Sequence, residues 1–94
     1  MIKIKKEDNG KKGRFVLYDD EQYAAEMTFT WVGDKLFIID HTGVEEEFGG
    51  KGYGRKLFLE TVKFAREAGV KVLPLCPFAK SEFDKHSDYS DLLH

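Results

Sequence analysis

The sequence predicts an α/β fold of the α+β type, with a mixed, mostly antiparallel sheet of about five strands and two main helices. Strand patterns separated by turn residues fill the first 44 positions. A cluster of glycines then leads into a helical pattern, and a short apolar run follows that helix. Because a strand, helix, strand crossover requires parallel pairing, the last run should add a parallel strand to an otherwise antiparallel set.

Two hairpins account for the first four strands. Residues 2–5 alternate isoleucine with lysine, and residues 14–18 return as an apolar run after an Asn-Gly turn. Residues 25–31 alternate apolar and polar side chains, which predicts a half-exposed strand. A Gly-Asp turn then leads into residues 35–44, which are more continuously apolar and predict a more buried strand.

Two helices follow the hairpins. Over residues 52–68 the apolar positions recur at helical spacing, and Gly69 supplies the stop. Residues 70–75 read as a short strand parallel to the fourth one. Cys76 and Pro77 then begin the second helix, because proline is favoured at a first helical position. In such a mixed sheet the central pair of strands can separate and admit a ligand.

Length and composition predict one domain, residues 1–94, and limit the classes of protein to which it can belong. Hydrophobic residues make up 41% and aromatic residues 14%, which argues against disorder. The net charge of −2, with both signs mixed along the chain, disfavours a nucleic-acid partner. No apolar run approaches the ~20 residues of a membrane span, so no membrane partner is expected. The single cysteine fits a reducing compartment, and a cytoplasmic location is therefore predicted.

The glycine cluster between the fourth strand and the first helix predicts an anion site. Four of the nine glycines lie within six positions, from Gly49 to Gly54. Glycine permits positive φ and close approach of a ligand to backbone N–H groups, and a helix N-terminus adds partial positive charge. We expect positive φ at Gly52 and Gly54. The spacing matches neither the dinucleotide fingerprint nor a P-loop, and the alternative is a turn that binds nothing.

The run VEEEFGGKGYGRKL, from Val44 to Leu57, resembles the acetyl-CoA loop of the GNAT superfamily of N-acetyltransferases. It departs from the family pattern at Glu46, where proline is frequent, and at Gly49, where arginine or glutamine is usual. The resemblance implies a truncated GNAT fold that binds acetyl-CoA between two separated strands, with the diphosphate on residues 49–55. It implies these cofactor-binding residues: Thr42, Val44, Gly49, Gly50, Lys51, Gly52, Tyr53, Gly54 and Arg55.

Other segments narrow the resemblance. The chain is too short for an ordinary GNAT domain. Its segments HTGV from His41, PLCP from Pro74 and FDKHSDY from Phe83 look like the minimal GNAT-like proteins of the YjdJ type. That group implies one compact domain that binds acetyl-CoA and carries a cysteine.

Two residues are the predicted catalytic groups. Cys76 is a candidate nucleophile, because it ends a parallel strand and begins a helix, where thiolates are favoured. A small buried hydrophobe is the alternative. His41 is a candidate general base for an amine or for Cys76, although it could be an ordinary polar residue. Alternation puts His41 and Val44 on opposite faces of the strand unless a bulge intervenes.

The function expected from these residues is transfer of acetyl from acetyl-CoA to a small amine, either directly or through Cys76. The alternative is a non-catalytic acetyl-CoA sensor or carrier, because the segments that enclose an acceptor in larger relatives are missing. No metal is expected, since the histidines and the cysteine are scattered along the chain without a ligand spacing. We expect a monomer.

Overall fold

The computed structural model describes all residues from Met1 to His94. The elements are β1 (Ile2–Asp8), β2 (Lys12–Asp19), β3 (Gln22–Val32), β4 (Leu36–Val44), α1 (Tyr53–Ala68), β5 (Lys71–Pro74) and α2 (Pro77–Lys85), with 3₁₀ helices at Glu46–Phe48 and Ser87–Leu92. The strands lie in the order β1-β2-β3-β4-β5. The first four pair antiparallel and β5 pairs parallel to β4, which confirms the predicted fold class.

The core lies between α1 and one face of the sheet. The apolar stripe of α1 includes Leu57 and Phe58, which are fully buried. Across from the helix, the rings of Phe29 and Phe37 pack 4.9 Å apart, and Phe64 of α1 stacks 6.0 Å from Phe37. Such offset and tilted contacts add to the burial of apolar area and hold the axis of α1 over the middle strands. No helix of the protein is long and apolar enough to cross a bilayer.

A β-bulge interrupts the pairing of β3 with β4. Thr28 pairs with His41 and Phe29 with Ile39, so Asp40 is an extra residue in β4. The Thr30 hydroxyl donates a hydrogen bond to the Asp40 carboxylate at 2.7 Å. An extra residue of this kind bends a strand and increases its local twist, and here it coincides with the end of the β4–β5 pairing.

The strands β4 and β5 part at the bulge. Their last parallel pair is Ile39 with Pro74. The backbone amides of Leu75 and Cys76 both donate to the carbonyl of Ile39, at 3.2 and 3.1 Å, and close the end of the ladder. Residues 40–44 then continue along β3 with no strand on their other side. The protein therefore has an opening between two parallel strands, but it lies at the edge of the sheet and not between a central pair, because β5 is the last strand in the order.

Candidate functional site

A groove of about 410 Å³ runs between the glycine loop and α2. Its lining consists of Thr42, Val44, Phe48, Gly49, Gly50, Gly52, Tyr53, Gly54, Arg55, Phe78, Glu82 and Lys85. Every predicted cofactor-binding residue except Lys51 lies on this lining. Lys51 is exposed and is not part of the lining.

The glycine loop uses left-handed backbone at two positions. Gly50 has φ of +80° and Gly52 has φ of +76°, a region that costs an L-residue with a Cβ roughly 1–2 kcal/mol. Gly49 has an extended backbone, and its amide donates to the carbonyl of Glu46 at 3.1 Å. The amide of Gly49 is therefore already satisfied, and the positive-φ glycines are the ones that shape the turn.

The start of α1 presents backbone donors to the groove. Gly52 is the N-cap and supplies no side-chain cap, and the first amide bonded within the helix is that of Lys56, to the carbonyl of Gly52 at 3.1 Å. The amides of Tyr53, Gly54 and Arg55 have no hydrogen-bond partner within the protein. Unpaired amides at a helix start, together with the helix dipole, are the kind of donor that suits an anion.

Gly54 serves a different purpose from the one predicted. It lies in the first turn of α1 and is not among the glycines with positive φ. A Cβ at Gly54 would lie 2.9 Å from the ring of Phe78 in α2. The expectation of positive φ at Gly54 was therefore wrong. A glycine is needed there because α2 packs directly against the helix start and leaves no room for a side chain.

The Tyr53 side chain fixes the start of α1 to the sheet. Its hydroxyl donates to the Asp19 carboxylate at 2.5 Å, and its ring lies 6.2 Å from that of Phe48. The hydrogen bond to Asp19, with burial second, raises the pKa of Tyr53 to about 12. Its phenol therefore anchors the loop to the β2–β3 hairpin, and the backbone amide is its free donor toward the groove.

A charge cluster forms the other end of the groove. Glu82 of α2 is only 2% exposed, and its Oε1 accepts a hydrogen bond from Arg55 Nε at 3.0 Å. Lys85 Nζ lies 3.7 Å from Oε2 of the same carboxylate, and His86 Nε2 lies 3.8 Å from Oε1. The buried His86 Nε2 has no hydrogen-bond partner. A charge this buried requires cationic partners, and Glu82 has them on both oxygens.

Sequence reasoning missed the residues that α2 contributes to the groove. Phe78, Glu82 and Lys85 follow one another at spacings of four and three, so they share one face of α2. That periodicity was visible in the sequence, and only the packing of α2 against α1 turns it into a wall of the groove.

Cys76 lies just behind the groove. Its side chain is 4% exposed, and its thiol donates to the Thr42 hydroxyl at 3.3 Å. Cys76 is the N-cap of α2 and caps no helix amide with its sulfur. Thr42 itself lines the groove, so the thiol contacts the groove lining through that hydroxyl.

His41 lies on the other face of β4. It pairs with Thr28, whereas Thr42 pairs with the buried Met27. The imidazole lies over Gly43, where a Cβ would be 2.9 Å from Nε2. The structure therefore joins Cys76 to Thr42 and leaves His41 exposed on the opposite side of the sheet. No group of three or more His, Cys, Asp or Glu side chains is arranged to hold a metal ion.

The family model for GCN5-related N-acetyltransferases matches residues 14–92. The chain belongs to this family. It is therefore an acetyl-CoA-dependent acyltransferase, and the predicted enzyme class is confirmed. No curated protein matches the chain at a significant level. The narrower likeness to the YjdJ type stays a prediction.

Solved structures agree with this assignment. A GCN5-like candidate N-acetyltransferase from Staphylococcus aureus is 36% identical, with a TM-score of 0.75, and the match covers 98% of this chain and 87% of that one. The ribosomal-protein-S18-alanine N-acetyltransferase from Escherichia coli is 19% identical, with a TM-score of 0.63 over 70% of this chain and 43% of that one. The ribosomal-protein-alanine N-acetyltransferase from Brucella melitensis is 17% identical, with a TM-score of 0.67 over 92% of this chain and 64% of that one. The last two share the fold.

Proposed function

We propose that this acyltransferase binds acetyl-CoA in the groove and transfers the acetyl group to the amine of a small acceptor. The observation that carries the proposal is the set of three unpaired amides at the start of α1, which face the same groove as the open edge of β4. A diphosphate at this point accepts the hydrogen bonds of amides that have no acceptor within the protein. The free thiol of Cys76 agrees with a cytoplasmic location.

The open edge of β4 offers a place for the pantetheine arm of acetyl-CoA to bind. Residues 40–44 are extended and lack a partner on the β5 side, so an extended amide-bearing chain can pair with them as an added strand does. This segment of β4 spans roughly 16 Å. With the diphosphate on α1, the thioester then lies toward the closed end at Ile39 and Pro74.

Direct transfer takes place in one nucleophilic substitution at the acetyl carbon of the thioester. The acceptor nitrogen attacks the acetyl carbon, the new C–N bond forms, and the C–S bond breaks. Coenzyme A leaves as the thiol, and the proton that the amine loses balances the thiolate. His41, exposed on the face of β4 away from the core, is the group we assign to that proton if the amine approaches from this face.

Transfer through Cys76 divides the reaction into two steps. The Cys76 thiolate attacks the acetyl carbon of acetyl-CoA, and the bond from that carbon to the coenzyme A sulfur breaks. An amine then attacks the acetyl carbon held on Cys76, the C–N bond forms, the bond to the Cys76 sulfur breaks, and the proton that the amine loses restores the thiol. The hydrogen bond with Thr42 orients the sulfur beside the groove. Incubation with acetyl-CoA should then add one acetyl group at Cys76, which a competent amine removes, as measured by intact-protein mass spectrometry.

Cys76→Ser is the variant that decides between the two routes. It should still bind coenzyme A, because the loop and the start of α1 are unchanged, and it should lose acetylation at position 76. Transfer by Cys76→Ser at the wild-type rate would exclude the two-step route and leave direct transfer standing. Acetylation that no amine in a library discharges would favour the second candidate, an acetyl-CoA sensor or carrier, for which the 4% exposure of the thiol is the supporting observation.

Amide NMR tests the binding site itself. Titration with acetyl-CoA should shift the resonances of residues 50–55 and of the β4 segment that ends at Val44. Acetate and adenosine should produce much weaker effects, because neither carries the diphosphate or the pantetheine amides. A folded sample whose loop resonances do not move would refute the proposed site.

A further inference from the structure

We propose that Lys85 and Arg55, held on the buried carboxylate of Glu82, form a subsite for the 3′-phosphate of coenzyme A. This inference rests on the proposed function, because it takes the diphosphate to lie on the amides of α1. It assigns a role to the charge cluster at the α2 end of the groove, which the chemistry at Cys76 and Thr42 does not use.

The two ends of the groove differ in chemistry. One end leads past Val44 and Thr42 to the opening beside β4, and the other is bounded by Arg55, Glu82 and Lys85. A diphosphate on the α1 amides lies between these ends. Since the pantetheine arm occupies the β4 end, the adenosine half is directed along α2, toward the charge cluster.

Glu82 holds two cations at the rim of the groove. Its carboxylate is 2% exposed and lies 3.0 Å from Arg55 Nε and 3.7 Å from Lys85 Nζ. The cationic side chains themselves remain 54% and 59% exposed. Two positive charges against one negative charge leave an excess that attracts an anion, while the shared carboxylate restrains both side chains and lowers the entropy cost of ordering them.

A phosphate monoester fits this arrangement. Guanidinium and ammonium groups both donate charge-assisted hydrogen bonds to phosphate oxygens, and their free N–H groups are those not occupied by Glu82. Neighbouring cations do not offer the same geometry. Lys51 lies off the groove lining, and Lys80 lies near Asp84, at 3.8 Å, on the exposed side of α2.

Dephospho-coenzyme A, which lacks only the 3′-phosphate, provides the test. Calorimetric Kd values for coenzyme A and dephospho-coenzyme A should be measured for the wild type, Lys85→Ala, Lys85→Glu and the control Lys80→Ala. The wild type should prefer coenzyme A. Lys85→Ala should weaken coenzyme A binding by roughly three- to fivefold, the scale of an exposed ion pair, and leave dephospho-coenzyme A within about twofold. Lys85→Glu should weaken coenzyme A binding further, and Lys80→Ala should resemble the wild type.

Each other outcome has a distinct meaning. Equal losses for both ligands in Lys85→Ala would overturn the subsite, since they indicate a general effect on the groove. Equal wild-type affinity for the two ligands would also overturn it and would leave the proposed function intact. A wild type that binds neither ligand would refute both proposals. Unchanged thermal midpoints check that the variants fold, as Lys85 is more than half exposed.

Discussion

Gly52 is the residue at which loop geometry and ligand binding are coupled most directly. With φ of +76° it occupies the left-handed region, and a β-branched side chain there is strained and stands beside the free amides. We expect Gly52→Val to abolish detectable acetyl-CoA binding and to destabilise the fold by about 1–2 kcal/mol. Calorimetry and urea unfolding measure the two effects.

Gly10 provides a matched control for Gly52. It has φ of +87° in the turn between β1 and β2, with open space where a Cβ would lie. Gly10→Val should therefore cause similar backbone strain and leave acetyl-CoA affinity unchanged. Equal loss of binding in both variants would show that backbone strain alone, rather than the position of the loop at the groove, lowers the affinity for acetyl-CoA.

A substitution at Gly54 should destabilise the fold through a packing clash and not through backbone strain. A Cβ at this position meets the Phe78 ring at 2.9 Å, so Gly54→Val overpacks the contact between α1 and α2. The expected cost is about 1–3 kcal/mol in the free energy of unfolding. Adding Phe78→Ala should recover part of that stability. If the second substitution recovers none, the contact with Phe78 is not the cause.

At the scale of elements, the Tyr53–Asp19 hydrogen bond ties the start of α1 to the end of β2. The bond exists only in the folded protein and raises the pKa of Tyr53 from 10.0 to about 12. Because the protonated phenol is the donor, its contribution is complete below pH 10 and is lost as the pH rises toward 12. Tyr53→Phe should thus be less stable than the wild type at pH 8, with a difference that shrinks above pH 10 in urea unfolding. A difference independent of pH would contradict this role.

The contact between α1 and α2 gives the groove its second wall. Phe78 fills the space beside Gly54, and Glu82 pairs with Arg55 one residue later in α1. Both contacts join the first turn of α1 to α2, so the free amides of α1 keep a constant position relative to the charge cluster. Shape and charge at this site are therefore properties of the helix pair.

At the scale of the whole molecule, ligand binding should raise the stability of the entire domain. A ligand that binds only the folded state, at a free concentration a hundredfold above its Kd, raises the free energy of unfolding by about 2.7 kcal/mol. For a chain of this size that corresponds to a rise in Tm on the order of 10 °C or more. Calorimetry with acetyl-CoA should detect the rise in the wild type and not in Gly52→Val. A rise of the same size in Gly52→Val would place the bound molecule outside the groove.

Local patterns by themselves determined most of the architecture. Alternation predicted the four antiparallel strands, and helical spacing with the Gly69 stop predicted α1, because side-chain periodicity reflects which face of an element is buried. The glycine cluster predicted the turn before α1, since positive φ at Gly50 and Gly52 is a property of the residue type. The family resemblance, carried by the same segment, is confirmed by the match over residues 14–92.

Only the tertiary structure decided how the groove is completed. The bulge at Asp40 depends on the register between β3 and β4, which no single strand pattern encodes. The contact of Cys76 with Thr42, and the absence of one with His41, depend on which face of β4 each residue occupies after that bulge. Glu82 becomes a buried partner of Arg55 because α2 packs on α1, and a contact between residues 27 positions apart follows from packing rather than from local sequence.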